Sequence, residues 1–139
     1  MKVHSSKSSL STKGHTDVID ITDKVQDAVN KSKIHSGTAT VFVVGSTAGI
    51  TTIEYEPGLV HDITEAFERM APRALKYKHH ERWHDDNGHS HIRASMLGPG
   101  IVVPVINGAL PLGQWQQIIL IDFDTRPRTR DVLVQIIGL

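Results

Sequence analysis

The chain has 139 residues, of which 39% are hydrophobic and 5% aromatic, so we expect one domain over residues 1–139 with a core of Val, Ile and Leu. Lysine plus arginine equals aspartate plus glutamate at 15 each, and no net charge therefore favours nucleic acid or an anionic membrane as partner. Cysteine is absent, which excludes disulfides and thiolate chemistry and leaves nitrogen and oxygen ligands for any metal.

The N-terminal residues lack the apolar stretch of a signal peptide. No segment approaches the roughly 20 apolar residues that a membrane helix needs. Together with the lack of cysteine, these features predict a soluble, cytoplasmic protein.

The first part of the chain predicts strands around one helix. The polar residues 2–12 fit an edge strand, and two short runs rich in β-branched residues, 16–21 and 38–44, predict further strands. Between these runs, residues 22–32 carry an apolar stripe, an acidic start and a basic end. This charge order complements the helix dipole and predicts a helix.

The clearest helix in the sequence covers about residues 57–70. Pro57 suits a first helical turn, and apolar residues follow it at spacings of three and four up to Met70. Such an apolar stripe predicts packing against the core.

Four apolar runs separated by glycine-containing turns predict antiparallel strands in the second half. These runs are residues 92–97, 101–106, 116–123 and 132–137. Pro104 lies inside the second run, and because proline cannot donate to a ladder, that strand should lie at a sheet edge or carry a bulge.

The segment His79–His91 is the densest cluster of titratable residues. It contains five of the nine histidines together with three carboxylates, Glu81, Asp85 and Asp86. Histidine is the commonest metal ligand and the side chain that titrates nearest neutral pH. The segment therefore predicts a metal site or an acid–base site. A solvated loop is the alternative, since the spacing matches no closed zinc signature.

The spacing within this segment suggests which side chains meet. Asn87-Gly88 predicts a turn, and His89 and His91 then lie two apart at the start of a predicted strand, which would put them on one face. We therefore expect His79, His89 and His91 to converge. A carboxylate of Asp85, Asp86 or Glu54 should complete the cluster.

The segment 45–54 joins small residues, hydroxyls and glycines between two predicted strands. Such a loop is typical of a site where backbone N–H groups approach an anion, although an ordinary bend fits equally well. It is not a Walker loop, because no Gly-Lys-Ser/Thr follows.

Three motifs in the second half carry a family resemblance. Residues 88–100 are G-H-S-H-I-R-A-S-M-L-G-P-G, residues 103–118 are V-P-V-I-N-G-A-L-P-L-G-Q-W-Q-Q-I, and residues 122–130 are D-F-D-T-R-P-R-T-R. They closely resemble the YjbQ family of bacterial and archaeal proteins, often labelled secondary thiamine-phosphate synthase. The resemblance implies a compact α+β domain with mostly antiparallel sheets and two main helices, assembled as a homotrimer.

The implied activity joins hydroxymethylpyrimidine pyrophosphate to thiazole phosphate and releases pyrophosphate. A site for these phosphorylated metabolites must hold several negative charges, and a divalent ion, Zn²⁺ or Mg²⁺, could bridge the phosphate oxygens. The candidate residues are His79, His91, Asp86 and Glu54 for catalysis; Ser46, Thr47, Arg93, Trp115 and Gln116 for substrate binding; and His79, His89 and His91 for the metal.

One position departs from the family pattern. Gly45 stands where many members have a histidine, and the resemblance then requires a replacement such as His84 or His89. The alternatives to the implied activity are another metal-dependent enzyme, such as a hydrolase, and a non-catalytic module that binds a metal or metabolite. The arginines of the motif at 126–130 are expected in a solvated turn, with a phosphate clamp as the alternative.

Overall fold

The computed structural model describes residues 1–139 and contains seven strands and four helices. The strands are β1 (Lys2–Thr12), β2 (Asp17–Asp20), β3 (Ser36–Val43), β4 (Ala48–Ile53), β5 (Gly100–Ile106), β6 (Gln117–Asp122) and β7 (Arg128–Gly138). The helices are α1 (Thr22–Ser32), α2 (Pro57–Met70), α3 (Lys78–Trp83) and α4 (Gly88–Leu97).

The strands form two antiparallel sheets. One has the order β1-β7-β3-β5 and the other the order β2-β6-β4. Strands β1 and β5 are the edges of the larger sheet, which confirms the edge positions predicted from the polar N-terminal run and from Pro104.

The smaller sheet is buried on both faces, and its central strand shows why β6 is apolar throughout. Ile118 and Leu120 belong to the main core, which also holds α1 and the inner face of the larger sheet. Ile119 and Ile121 point the other way and form a second core with residues of α2 and α4. A strand covered on both faces needs a continuous apolar run instead of alternation.

Helices α1 and α2 begin and end at the predicted residues, and Pro57 occupies the first turn of α2 as predicted. The carboxylate of Glu56 caps this helix by accepting from the backbone N–H groups of Gly58 and Leu59 at 2.8 and 2.7 Å. The α+β fold with antiparallel sheets is confirmed, but a description with two main helices omits α3 and α4. None of the four helices is long and apolar enough to cross a membrane.

The strand predicted over residues 92–97 is wrong, because these residues lie in α4. The buried face of α4 is made of small and polar residues, whereas Ile92 and Met96 are exposed. The helix was missed because helix prediction from sequence relies on apolar residues at helical spacing, and this face has few of them. The error matters for the site, since residues two apart share a face in a strand but lie about 200° apart around a helix.

We predict that Leu120→Ala lowers the free energy of unfolding by about 2–5 kcal/mol, because it leaves a cavity in the main core. Leu120 is fully buried there. Leu75→Ala is the matched control, since Leu75 is exposed and the same truncation should cost less than about 0.5 kcal/mol. Chemical denaturation measures both, and equal losses would contradict the assigned core.

Candidate active site

A polar cavity of about 380 Å³ lies where the loop after β3, helices α3 and α4, and the start of β7 meet. The helical side contributes His79, Asp85, Asn87 and His91 to its lining. The sheet side contributes Ser46, Thr47, Asp124, Arg128 and Arg130. Its lining thus contains two histidines, two carboxylates and two arginines.

Two histidines face each other in this cavity. The ring centroids of His79 and His91 are 4.5 Å apart and their planes are tilted by 47°. His79 lies on α3 and His91 on the first turns of α4, and the turn between the helices has left-handed residues at His84 and Asp86, with φ of 56° and 54°. This sharp turn folds α4 back on α3 and brings the two rings together.

The Nδ1 atom of His79 is buried and has no hydrogen-bond partner. The nearest carboxylate oxygen, Asp85 Oδ1, is 3.5 Å away, close enough for an ion pair when the imidazole is protonated. A buried polar atom without a partner is costly and is found where a ligand or a proton completes it. This nitrogen is therefore available for chemistry.

The pKa of His91 lies below the usual range of histidine. Burial is the main cause, and the neighbouring His79 adds repulsion against a second positive charge. The carboxylates of Asp124 and Asp85 and a hydrogen bond to the backbone of Ser46 oppose the shift. Since the net shift is downward, His91 is neutral near pH 7 and able to accept a proton.

Asp124 supplies a fixed negative charge at the cavity wall. Its carboxylate accepts from Thr125 N at 2.7 Å, Arg128 Nε at 2.9 Å, the Thr47 hydroxyl at 3.0 Å and the Asn87 amide at 3.3 Å. Burial alone would raise the pKa of this carboxyl, but the hydrogen bonds and the charge of Arg128 outweigh burial and lower it. Asp124 therefore stays ionised.

Arg130 is buried, so the expectation of a solvated turn is wrong for this arginine. Its Nε and Nη2 atoms donate to the two oxygens of Asp122 at 2.7 and 3.0 Å, and Nη2 also donates to the Thr47 hydroxyl. Asp122 in turn accepts from the Thr12 hydroxyl at 2.6 Å. Sequence reasoning missed both aspartates; the signal was the pair of acidic residues that ends an otherwise apolar strand.

The Asn87 side chain lies between the two carboxylates of the cavity. In one orientation its amide nitrogen donates to Asp124, and after rotation by half a turn it donates to Asp85 Oδ1 at 2.9 Å. In either case the amide links the helical side of the cavity to the sheet side.

His89 does not enter this cavity. It is buried on another side of α4 and lines a separate cavity of about 200 Å³ together with Thr16, Arg73 and Arg93. The physical reason is the helix, in which His89 and His91 cannot share a face. Neither His84 nor His89 lines the cavity of His79, so neither replaces the histidine that the resemblance places at Gly45.

Arg93, predicted to bind substrate, serves the packing of α4. Its guanidinium donates to the carbonyl of Ala71 at 3.0 Å, the Thr16 hydroxyl at 3.2 Å and Glu68 Oε2 at 2.6 Å. These contacts tie α4 to α2 and to the turn before β2. The arginines beside the histidine pair are instead Arg128 and Arg130.

The remaining predicted residues also lie elsewhere. Asp86 lines a larger cavity, of about 690 Å³, that holds neither His79 nor His91. Glu54 and Trp115 line a fourth cavity, and Gln116 stabilises a local turn by accepting from Gly113 N at 3.1 Å and donating to Thr52 at 3.2 Å. Of the predicted catalytic and substrate-binding residues, the structure brings together His79, His91, Ser46 and Thr47.

The predicted metal ligands do not assemble a metal centre. No three His, Asp or Glu side chains are arranged so that they could hold an ion. His79, His91 and Asp85 are the nearest approach, and the third predicted ligand, His89, faces the other cavity.

Comparison with known proteins shows what the chain resembles. The family described as UPF0047 protein, YjbQ-like, matches residues 6–139. A UPF0047 protein of Archaeoglobus fulgidus is 39% identical over 126 residues, covering 91% of this chain and 95% of the relative. A crystal structure of a YbjQ-like protein of unknown function from Sulfolobus solfataricus is 37% identical, covers 99% of both chains and has a TM-score of 0.94. An uncharacterised family protein of Clostridium acetobutylicum is 38% identical with a TM-score of 0.87, covering 95% of this chain and 99% of that one.

We predict that the free energy of unfolding falls as the pH drops from about 7.5 to 5.5. Burial lowers the pKa of both His89 and His91. The positive charges of Arg93 and Arg73 lower the pKa of His89 further, and these effects outweigh the carboxylates of Asp86 and Glu68, which raise it. Unfolded histidine titrates near 6.5, so below this pH the unfolded chain binds more protons than the folded one, which favours unfolding.

Urea denaturation at both pH values measures this effect. His89→Gln removes one of the two depressed groups and should lose less stability over the interval than the unaltered protein. An equal loss in both proteins would show that His89 does not contribute.

Proposed function

The chain belongs to the YjbQ-like UPF0047 family, and we propose that the cavity of His79 and His91 is an active site for acid–base chemistry on a phosphorylated small molecule. The observation that carries the proposal is the contact between two imidazoles, one beside a carboxylate and with a buried, unpartnered nitrogen. A core has no need of such a pair, and titratable groups with shifted pKa values cluster at functional sites.

The two imidazoles suit a proton relay. His91 is neutral near pH 7 and accepts a proton, and the Nδ1 atom of His79 lies 3.5 Å from the carboxylate of Asp85. Since a second proton on the pair is opposed by repulsion, the pair holds one proton more readily than two. Such a pair can take a proton from one substrate group and return it to another.

The charges of the cavity suit an anionic ligand once the pair is protonated. Arg128 and Arg130 balance Asp85 and Asp124, so the lining is neutral while both imidazoles are neutral. A bound phosphate favours protonation of the imidazoles because opposite charges attract. The ligand and the proton are therefore taken up together.

The reaction that the family resemblance suggests uses the pair as a general acid. The thiazole nitrogen would attack the methylene carbon of the pyrimidine, and the carbon–oxygen bond to pyrophosphate would break with its electron pair on the leaving oxygen. A proton from the histidine pair would then neutralise part of the charge on the departing pyrophosphate. In this proposal Ser46, Thr47 and the two arginines orient the phosphates.

A metal-assisted reaction, including hydrolysis, is the second candidate. The unpartnered Nδ1 of His79 favours it, because a ring nitrogen without a hydrogen bond can bind an ion. The donor set opposes it, since two histidines and Asp85 do not form a three-ligand group here. A divalent ion thus stays a prediction from the sequence.

We predict that His91→Asn and His79→Asn each lower turnover by about 10²- to 10⁴-fold, the usual contribution of general acid–base catalysis. Turnover is measured as pyrophosphate release from hydroxymethylpyrimidine pyrophosphate with thiazole phosphate. His61→Asn is the matched control, because His61 is exposed on α2 and does not line this cavity.

Three outcomes of this assay separate the candidates. Loss in both site variants with an unchanged control supports the proposal. Turnover that vanishes with a chelator and returns with Zn²⁺ supports the metal-assisted reaction instead. If the unaltered protein is inactive on these substrates but active in a screen of phosphorylated metabolites, the proposed site stands and the proposed reaction is wrong.

We also propose that the protein assembles as a homotrimer through the outer face of the larger sheet. Phe42 and Leu133 are cross-strand partners on this face and are 40% and 39% exposed, and Val102 and Ile137 are exposed on the same side. A sheet face with several exposed apolar side chains is typical of an interface, and the family resemblance supplies the stoichiometry.

Light scattering should give a mass about three times the 15.3 kDa of one chain. Leu133→Glu should lower this mass, because it places a charge in an apolar contact. Ser95→Glu, on the exposed side of α4, is the control that should leave the mass unchanged. A monomer mass for the unaltered protein would refute the assembly.

A further inference from the structure

One nitrogen of the Arg130 guanidinium is left unused by the fold. The side chain is only 8% exposed, and its Nε and Nη2 atoms are occupied by Asp122 and Thr47. The Nη1 atom makes no hydrogen bond within the chain, although Arg130 lines the cavity of the histidine pair. A guanidinium nitrogen without a partner at a cavity wall is a free donor for a ligand.

Gly45 creates the space for this nitrogen. A Cβ atom at position 45 would lie 2.5 Å from Nη1, and the only other atom within 4 Å would be Cζ of the same arginine. The residue also has φ of +131°, a conformation that side chains rarely adopt. Any larger residue at this position would therefore displace Nη1 from the cavity wall.

This geometry explains why glycine stands at position 45, where many family members have a histidine. A histidine at position 45 would meet the guanidinium with its own Cβ, so the histidine and the present position of Nη1 exclude each other. Arg130, not His84 or His89, thus occupies the space beside Gly45. A Gly45→His variant would disturb the arginine and would not simply restore a lost group.

The surroundings of Nη1 define the ligand. Ser46 and His91 line the same cavity, and the charge of the guanidinium is partly balanced by Asp122 behind it. The two lining arginines balance Asp85 and Asp124, and Asp122 adds one negative charge behind Arg130, so the free Nη1 donor, and not a net positive charge, is what holds the anion. The free Nη1 presents a single donor, so it suits one oxyanion group of a ligand, such as one phosphate of a phosphorylated substrate.

We infer that Arg130 Nη1, admitted by Gly45, holds a single oxyanion group of the ligand, a phosphate monoester or a carboxylate, beside the His79–His91 pair. This inference rests on the proposed function for the identity of the cavity as the active site. Arg130 positions the anionic group, and Gly45 leaves the space that ligands with such a group need.

The experiment is a calorimetric titration of the full-length protein with inorganic phosphate and, in a second arm, with acetate. Saturable binding to the unaltered protein is expected, and the arm with the stronger binding tells a phosphate site from a carboxylate site. Gly45→Ala should weaken binding at least about tenfold, since it removes a charge-assisted hydrogen bond.

Gly98→Ala is the matched control for backbone strain. Gly98 also has a positive φ, of +93°, but an added Cβ would have no atom within 4 Å. This variant should bind as the unaltered protein does. Arg130→Lys is the second variant on the site, because one ammonium cannot serve Asp122 and the cavity together, and it should show the same loss as Gly45→Ala.

Two results would overturn the inference: no saturable binding of either anion, or Gly45→Ala binding as tightly as Gly98→Ala. His91→Asn separates this inference from the proposed function. If turnover survives in His91→Asn while Gly45→Ala still weakens anion binding, the proposed function fails alone. If Gly45→Ala binds normally while turnover still depends on His91, the anion subsite fails alone.

Discussion

A buried ion pair between Arg130 and Asp122 joins the two sheets at the place where the cavity lies. Arg130 belongs to β7 of the larger sheet and Asp122 ends β6 of the smaller one, and the pair is held by two hydrogen bonds. Thr12 on β1 and Thr47 before β4 complete the network. Buried charges persist only when paired, and removal of one partner typically costs about 3–5 kcal/mol. The cavity therefore depends on a contact that fixes both sheets in one arrangement.

The other wall of the cavity depends on the unusual helix α4. Its buried face carries His89, Ser90, Arg93 and Ala94, and polar contacts replace much of the apolar packing. The Ser90 hydroxyl donates to the carbonyl of Phe123, and Arg93 reaches α2. These bonds fix the rotation of α4 about its axis. As a result His91 faces His79, and His89 is held in a separate cavity.

The Arg130–Asp122 pair and the polar face of α4 also explain which parts of the fold and the site could be predicted from the sequence. Most strands, α1, α2 and the edge position of β5 were predictable, because apolar periodicity and proline report packing directly. Strand β4 was not, since residues 48–53 belong to the segment 45–54 that was expected to be a loop. Helix α4 was not, because its buried face is polar. The convergence of His79 and His91 was expected, but on the assumption of a strand that also placed His89 beside them. Asp124 was missed as a site residue and Arg130 was expected in a solvated turn, because their partners are up to 83 residues away along the chain.

We propose that His79 and His91 act as one proton-carrying unit. A double-mutant cycle on turnover tests this proposal, with His79→Asn, His91→Asn and the double variant measured together. Groups that act as a unit give strongly non-additive losses. If the two imidazoles form such a unit, the double variant is about as slow as the slower single variant. Two independent losses that multiply in the double variant would contradict it.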